Sequence, residues 1–575
     1  MTHRQLRAAG RRAPCRLASL LLAASLLPGA IMPLQAQGNL PSTVRLPALG
    51  EAASDDFNLN QEKRIGEQIM REIRRDPDYL DDALLLDYLQ SLWRPLVQAA
   101  RARGDISADT ERLFPYEAFL VRDRSVNAFA LPGGYVGVHL GLIALTANAD
   151  ELASVLAHEL SHITRRHIAR SISAASQSST LGLVATLLGL VVASRAGSSD
   201  AAQAAILGGQ AAIQQSQLNF SRDMEREADR TGLALMGEAG FEAAGMAGMF
   251  DKLDQSARLN DSGGFPYLRS HPLTIDRIGE ARQMVQAAGP AASSQAAERR
   301  PGHDGLALGH SLMQARARVL MDPSTQALRR LQELDVRGGV ASLSPVERLV
   351  GLYTGALAST QLRDFDRAQQ AITAAQALMG NLTGNLATAT AEPVAQRAVA
   401  HLTTRLALAR GDTDGALRSL AGAGAVGGIG GVGGVGETAR ADVLLRAELP
   451  LASGDPAALQ RSAEALQTWV SEHRDDASAW LLLSQTSQQL GQRLRALRAD
   501  AESQAALGNL PGAIDRLRAG QQLARTGQAN AASQRTDFIE ASVIDARLRD
   551  LIAQRRELLA DQRRQAGSRN APPPE

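Results

Sequence analysis

The sequence predicts a mostly α-helical protein, with one small β-sheet in its first half and a helical array filling its second half. Three observations predict it. Aromatic residues are only 3% of 575, while Ala, Leu, Gln and Arg are abundant. Such a composition packs helices through small side chains better than it fills a β-sandwich. Strand texture is confined to residues 116–121 (YEAFLV) and 135–139 (YVGVH), flanking Asn127-Ala-Phe-Ala-Leu-Pro-Gly-Gly134. Almost everywhere else apolar residues recur at helical spacing. The length exceeds a single hydrophobic core, and a net charge of +1 gives no ground for nucleic acid or an acidic partner.

At the N-terminus, Arg4, Arg7, Arg11, Arg12 and Arg16 precede an apolar run over residues 17–27, then Pro28-Gly29 and Leu34-Gln35-Ala36. This is the order of a secretory signal, with cleavage expected after Ala36. The run is shorter than the ~20 residues an anchor needs. Cys15 leaves with the signal, so the mature chain is expected to have neither disulfides nor thiol chemistry. An extended lead-in with Pro41 and Pro47 gives way to helical periodicity from Asn60 through Ile69, Ile73, Leu80, Leu84, Leu89 and Leu96. A second apolar stretch, 181–193, is also too short to span a bilayer. It reads as a buried helix, or as a peripheral contact with a membrane surface, and its lack of a basic face favours the former.

Residues 287–305 (AAGPAASSQAAERRPG at their core) have a linker's composition. Beyond them, three segments share a polar turn followed by alanine: Arg363-Asp-Phe-Asp-Arg-Ala368, Gly411-Asp-Thr-Asp-Gly-Ala416 and Gly508-Asn-Leu-Pro-Gly-Ala513. Trp480 opens a comparable helix closed by Leu490-Gly491. These resemble degenerate tetratricopeptide repeats, paired helices that stack into a solenoid. The Gly-rich stretch 422–436 reads as a loop between repeats, since no strand precedes it. The expected organisation is a signal peptide (1–36), a peptidase domain (37–290), a linker (291–310), a tetratricopeptide-like domain (311–565) and a disordered tail (566–575).

The chemistry lies in His158-Glu159-Leu160-Ser161-His162. A helix is expected to open near Asn148, capped with the help of Glu151. Residues four apart share a helix face, so His158 and His162 point two imidazoles at one ion and leave Glu159 to face its water. One zinc ion per chain is expected, because imidazole and carboxylate hold it with a position left open for water. Glu159 is the expected general base. An HExxHxxGxxH continuation is absent, since Arg165 and Ile168 stand where Gly and His would be. That excludes the metzincin pattern; a glutamate zincin instead needs a carboxylate from a second helix. Ser221-Arg-Asp-Met-Glu-Arg-Glu-Ala-Asp229 offers Glu225 as ligand. Asp229, four residues on, is either the acceptor of a ligating histidine's ring N–H or a proton donor. Glu227 points elsewhere. His167 reads as a charge at a helix C-terminus, His139 as structural, His303 and His310 as solvated, and His401 and His473 as repeat residues. The strand at 135–138 is expected to take an extended peptide by edge addition.

HELSH, then SRDMEREAD, then Ser270-His-Pro-Leu-Thr274, with Asn127-Ala-Phe-Ala upstream, resembles peptidase family forty-eight, the gluzincins that include membrane heat-shock and CAAX prenyl proteases. The resemblance implies a zincin-like metallopeptidase domain over roughly residues 50–285. With an export signal and tetratricopeptide-like C-terminus, the chain looks like that family's periplasmic branch. This implies protein substrates, namely outer-membrane β-barrel proteins and their assembly machinery, in assembly and quality control. It also implies that His271 lies near the zinc, as an oxyanion stabiliser or as a switch occupying the open position. The competing class is a repeat-domain chaperone or scaffold whose zinc site is structural or permanently capped; the presence of Glu159 favours the enzyme.

Overall fold

Asn58 and Gln61 cap the first helix, α1 (Leu59–Ile73), reciprocally: Asn58 Oδ1 accepts from Gln61 N at 3.0 Å, and Gln61 Oε1 accepts from Asn58 N at 2.9 Å. The computed structural model describes residues 58–174, 221–259, 266–299, 306–337, 343–385, 393–424, 439–526 and 534–569. The signal segment with Cys15, the lead-in, the 181–193 stretch, His303 and most of the Gly-rich 422–436 segment lie outside these residues.

After α1 come β1 (Tyr79–Leu80), α2 (Ala83–Arg103), α3 (Ala108–Leu113), β2 (Glu117–Val121), β3 (Ala128–Leu131), β4 (Tyr135–His139) and α4 (Leu140–Leu145). The sheet order is β1-β2-β4-β3, with β2 parallel to β4 and the other pairings antiparallel. Two of its strands, β1 and β3, are not expected from sequence. β3 is four residues without alternation, ahead of Pro132-Gly133-Gly134, and reads locally as part of a turn. Gly133 and Gly134 have φ of 78° and 92°, which is what lets that turn double back into β4.

This topology corrects the expected peptide-binding strand. β4 is paired on both sides and all five of its residues are buried, so 135–138 cannot accept another strand. The edge is β3. Asn127 O accepts from His139 N, so Asn127, Phe129 and Leu131 direct backbone groups to β4 while Ala128 and Ala130 direct theirs outward.

Behind the sheet lies α5 (Ala149–Thr164), in which every residue from Ala149 to Ile163 is buried. It is followed by α6 (His167–Ala174), α7 (Arg222–Glu238), α8 (Ala244–Leu259), α9 (Pro266–Ser270), α10 (Ile275–Arg299) and α11 (Leu306–Leu320). α7 lies close on α5 because Gly232 has no side chain. A Cβ there would sit 3.2 Å from Ala157 C and His158 N.

The linker-like composition of 287–305 does not end the helix. Alanine's helix propensity carries α10 through Gly289-Pro290 to Arg299. His310 on α11 is buried, Nδ1 accepting from Tyr88 Oη at 2.6 Å and Nε2 donating to Thr146 O at 3.0 Å. This corrects its reading as a solvated residue. One contiguous apolar cluster runs from Leu80 to Ala441, across the expected boundary. The later described residues are helical, and left-handed residues mark the expected turns: Arg363 (φ 61°), Gly411 (77°), Gly491 (73°) and Gly508 (75°). Ala368, Ala416 and Ala513, the alanines of the three turn signatures, are fully buried. The helix Gln534–Arg569 continues into the segment expected to be a disordered tail. Among the described residues, no helix is long and apolar enough to cross a membrane.

Candidate metal centre

Asn148 Oδ1 accepts from Glu151 N at 2.9 Å and starts α5 where the sequence places it. Glu151 itself turns to Ala147 N and Lys252 Nζ, each at 2.6 Å. Two and three turns after Glu151 the buried helix carries His158 with Glu159, then His162. Ser221 caps α7 through Met224 N, and Glu225 and Asp229 follow one turn apart on its buried face. His271 follows α9, and its own N donates to Tyr267 O at 2.9 Å, so the residue is held by that short helix.

Side-chain donor atoms of His158, His162, Glu225 and His271 all lie within 4.8 Å of one another, and all four residues are buried. His158 Nε2 is 3.0 Å from His162 Nε2 and 3.3 Å from His271 Nδ1. Glu225 Oε1 is 3.0 Å from His271 Nδ1 and 3.6 Å from His162 Nε2, and Glu225 Oε2 is 3.5 Å from His158 Nε2. Behind them, His158 Nδ1 donates to Asp229 Oδ1 at 3.0 Å. Arg277 on α10 donates to Asp229 through Nε (2.6 Å) and Nη2 (2.8 Å), and its Nη1 lies 2.8 Å from Glu225 Oε2. Tyr267 packs its ring 4.8 Å from that of His271.

The electrostatics are uneven. Burial alone would lower the His158 pKa, but the Asp229 and Glu225 carboxylates raise it to about 10. Burial and the neighbouring imidazoles drive His162 well below the usual histidine value. Burial pushes Glu225 up, yet His271 and His158 outweigh it and hold the carboxylate ionised. Burial pulls Asp229 up too, but Arg277 and His158 outweigh it and hold its carboxyl below the usual value. Glu159 is raised by burial.

The residues fit a metal ion. Both oxygens of Glu159, and Oε2 of Glu225, are buried without a hydrogen bond, the Arg277 contact being an ion pair out of hydrogen-bond geometry. His158 has its Nδ1 committed to Asp229, so the Nε2 atom that turns toward His162, Glu225 and His271 is the nitrogen left for an ion. Three imidazoles and a carboxylate are donors suited to a four-coordinate ion.

The structure thus gathers His158, Glu159, His162, Glu225, Asp229 and His271, all anticipated from sequence. It corrects His167, which is not a helix-terminal charge. Arg166, at φ 52°, breaks the helix, and His167 opens α6 fully buried, with a pKa that burial lowers to about 4. Sequence reasoning misses Arg277 and Tyr267, because no periodicity connects them to the HExxH helix. His139 is buried beside Ser125 and Phe129, as a structural role requires.

A buried HExxH helix facing a second helix that bears a carboxylate defines the class, a metallopeptidase. Residues 88–285 match the model of Peptidase family M48. The beta-barrel assembly-enhancing protease of Escherichia coli is 28% identical over 491 residues, covering 85% of this chain and 89% of the relative. A protein of the same description from Yersinia pestis is 35% identical over 282 residues, 48% of this chain and 54% of the relative. The mitochondrial metalloendopeptidase OMA1 of Saccharomyces cerevisiae is 32% identical over 197 residues, 33% of this chain and 53% of the relative. In the two more identical matches the chain spans about half the relative's length.

Proposed function

We propose that this protein is a zinc endopeptidase of the periplasm that cleaves misfolded or stalled outer-membrane β-barrel proteins and assists their assembly. The observation that carries the enzymatic reading is the convergence of His158, His162 and Glu225 beside the buried carboxylate of Glu159, whose Oε1 lies 3.5 Å from His271 Nε2. The names of the bacterial relatives support the client class. The export signal read over residues 1–36 supports the compartment.

His158 and His162 would hold the ion through Nε2 and Glu225 through its carboxylate. When bound, zinc supplies Lewis acidity that acidifies a water and polarises the scissile carbonyl. Glu159 takes the proton of the attacking water and returns it to the leaving amine. Its raised pKa, a result of burial, suits it to hold that proton between the two events. Asp229 fixes the tautomer of His158, and Arg277 fixes Asp229. The outward backbone groups of Ala128 and Ala130 on β3 would take the substrate as an added strand. The N–H of Ala130 also faces the Glu159 carboxylate. The tetratricopeptide-like helices beyond the peptidase domain would engage large clients, in the division at about 290–311 expected from sequence.

His271 completes a four-donor set, and this favours the switch over the oxyanion role. A structural zinc site is closed, whereas a hydrolytic one keeps a position open. His271 in contact with Glu225 would hold the centre closed until a client displaces it. The permanently capped scaffold is the same arrangement without that displacement. Zinc content and cleavage of an unfolded outer-membrane protein test the proposal together. One zinc per chain with chelator-sensitive cleavage is the expected result. A purified chain that binds no metal at Glu225, shown by unchanged zinc in Glu225→Ala, would overturn the ligand set.

A further inference from the structure

His162 has a second neighbour that the metal chemistry above does not use. Its Nδ1 lies 2.9 Å from Nδ1 of His167, and the Nε2 of His167 lies 3.1 Å from Oε2 of Glu227. Both imidazoles are fully buried. Glu227 is anchored in turn, with Arg170 Nη1 donating to Oε2 at 3.0 Å and Arg165 Nε 3.8 Å from Oε1. On an uninterrupted helix a residue five positions after His162 would point some 140° away from it. Here α5 ends at Thr164, and Arg166 in the left-handed region swings His167 back beneath His162. That turn is braced from α1: Arg166 Nε donates to the buried carboxylate of Glu62 at 3.2 Å. A left-handed non-glycine residue costs of order 1 kcal/mol or more, so this turn persists because its surroundings hold it.

Two nitrogens at that separation share one proton, and the outer partner decides which ring owns it. Glu227 accepts, so His167 carries its proton on Nε2 and presents a bare Nδ1. That lone pair accepts the Nδ1–H of His162 and leaves the Nε2 lone pair of His162 for the ion. Resting on the metal-site reading above, we propose that His167 and Glu227 are positioning residues that fix the tautomer and ring orientation of His162. They do for the second histidine of the pair what Asp229 and Arg277 do for the first. Each ligating imidazole is then held by its own carboxylate, directly for His158 and through an intervening imidazole for His162. An outer partner of this kind is typically worth about 10- to 100-fold in metal affinity.

The test is zinc affinity of the mature full-length protein, measured by competition with a chromophoric chelator, with the visible spectrum of the cobalt-substituted protein as a second readout. His167→Leu removes the acceptor, and His167→Asn restores one near the position of Nδ1. The expected result is zinc affinity about 10- to 100-fold weaker in His167→Leu, with most of it recovered in His167→Asn. Glu227→Gln should shift the cobalt spectrum while leaving the metal-free protein folded by circular dichroism. Wild-type affinity in His167→Leu would overturn the proposal. Equal weakening in His167→Leu and His167→Asn would overturn it too, by showing that the ring only fills space. If His167→Leu fails to fold, Glu227→Gln decides alone: unchanged affinity and spectrum contradict the assignment. A wild-type protein that binds no zinc would remove the metal site itself, a result distinct from all of these.

Discussion

Arg277 grips Asp229 through two parallel hydrogen bonds, Nε to Oδ2 at 2.6 Å and Nη2 to Oδ1 at 2.8 Å, while Oδ1 also accepts from His158. The guanidinium contacts Glu225 as well, so one buried cation balances two buried carboxylates beside three imidazoles. Removing one partner of such a pair typically costs about 3–5 kcal/mol, because the charges left behind stay desolvated. We predict that Arg277→Ala loses stability on that scale and binds zinc weakly. Arg277→Lys should restore charge but not the fork, and so recover only part of both. Denaturant midpoints and zinc affinity of the two variants check this.

Asp229 accepts from His158 Nδ1 at 3.0 Å, and the proposed role is to act through that ring rather than on substrate. Asp229→Ala should therefore weaken zinc affinity by about 10- to 100-fold, and saturating zinc should restore much of the hydrolysis. Wild-type zinc affinity in Asp229→Ala would contradict this role. Hydrolysis that stays lost with zinc fully bound would point back to the proton-donor reading.

His310 gives a pH dependence remote from the metal. Burial lowers its pKa, and its neutral ring is satisfied on both sides by Tyr88 and Thr146. The folded protein therefore binds its proton less readily than the unfolded chain. Its contribution is complete above the ordinary histidine value of 6.5 and is lost as pH falls below that value toward the folded pKa. Wild type should lose more stability than His310→Gln between pH 7.5 and 5.5, measured as denaturant midpoints. Equal losses would contradict the buried neutral ring.

His271 distinguishes a closed resting centre from an open one. His271→Ala should raise basal cleavage of an unfolded protein at fixed zinc and pH, with self-cleavage as an additional sign. A large fall in rate would instead make His271 an oxyanion stabiliser.

Much of this site is legible in the sequence because helical spacing is local arithmetic. His158 with His162, and Glu225 with Asp229, each fall four apart, and Asn148 and Ser221 mark where the two helices open. What spacing does not give is where the chain leaves a helix. One left-handed residue, Arg166, turns His167 from a surface charge into a buried neighbour of His162. Arg277 reaches the site across a tertiary contact that no periodicity encodes. The sheet shows the same limit. Alternation finds β2 and β4, but strand order makes β4 central, and the short β3 between them becomes the edge. The linker composition is ambiguous for another reason. Alanine-rich sequence suits a spacer and a helix equally, and here α10 continues through it to Arg299.

The central claim is that Glu159 moves the proton of hydrolysis while His158, His162 and Glu225 hold the metal. The most direct measurement is zinc content and peptide-bond cleavage of an unfolded outer-membrane protein by Glu159→Gln, beside wild type. The amide keeps the shape and the helix but cannot accept a proton. The account predicts one zinc per chain, as in wild type, with cleavage slowed about 10²- to 10⁴-fold, the range of a general base. Cleavage at the wild-type rate with zinc in place would contradict it.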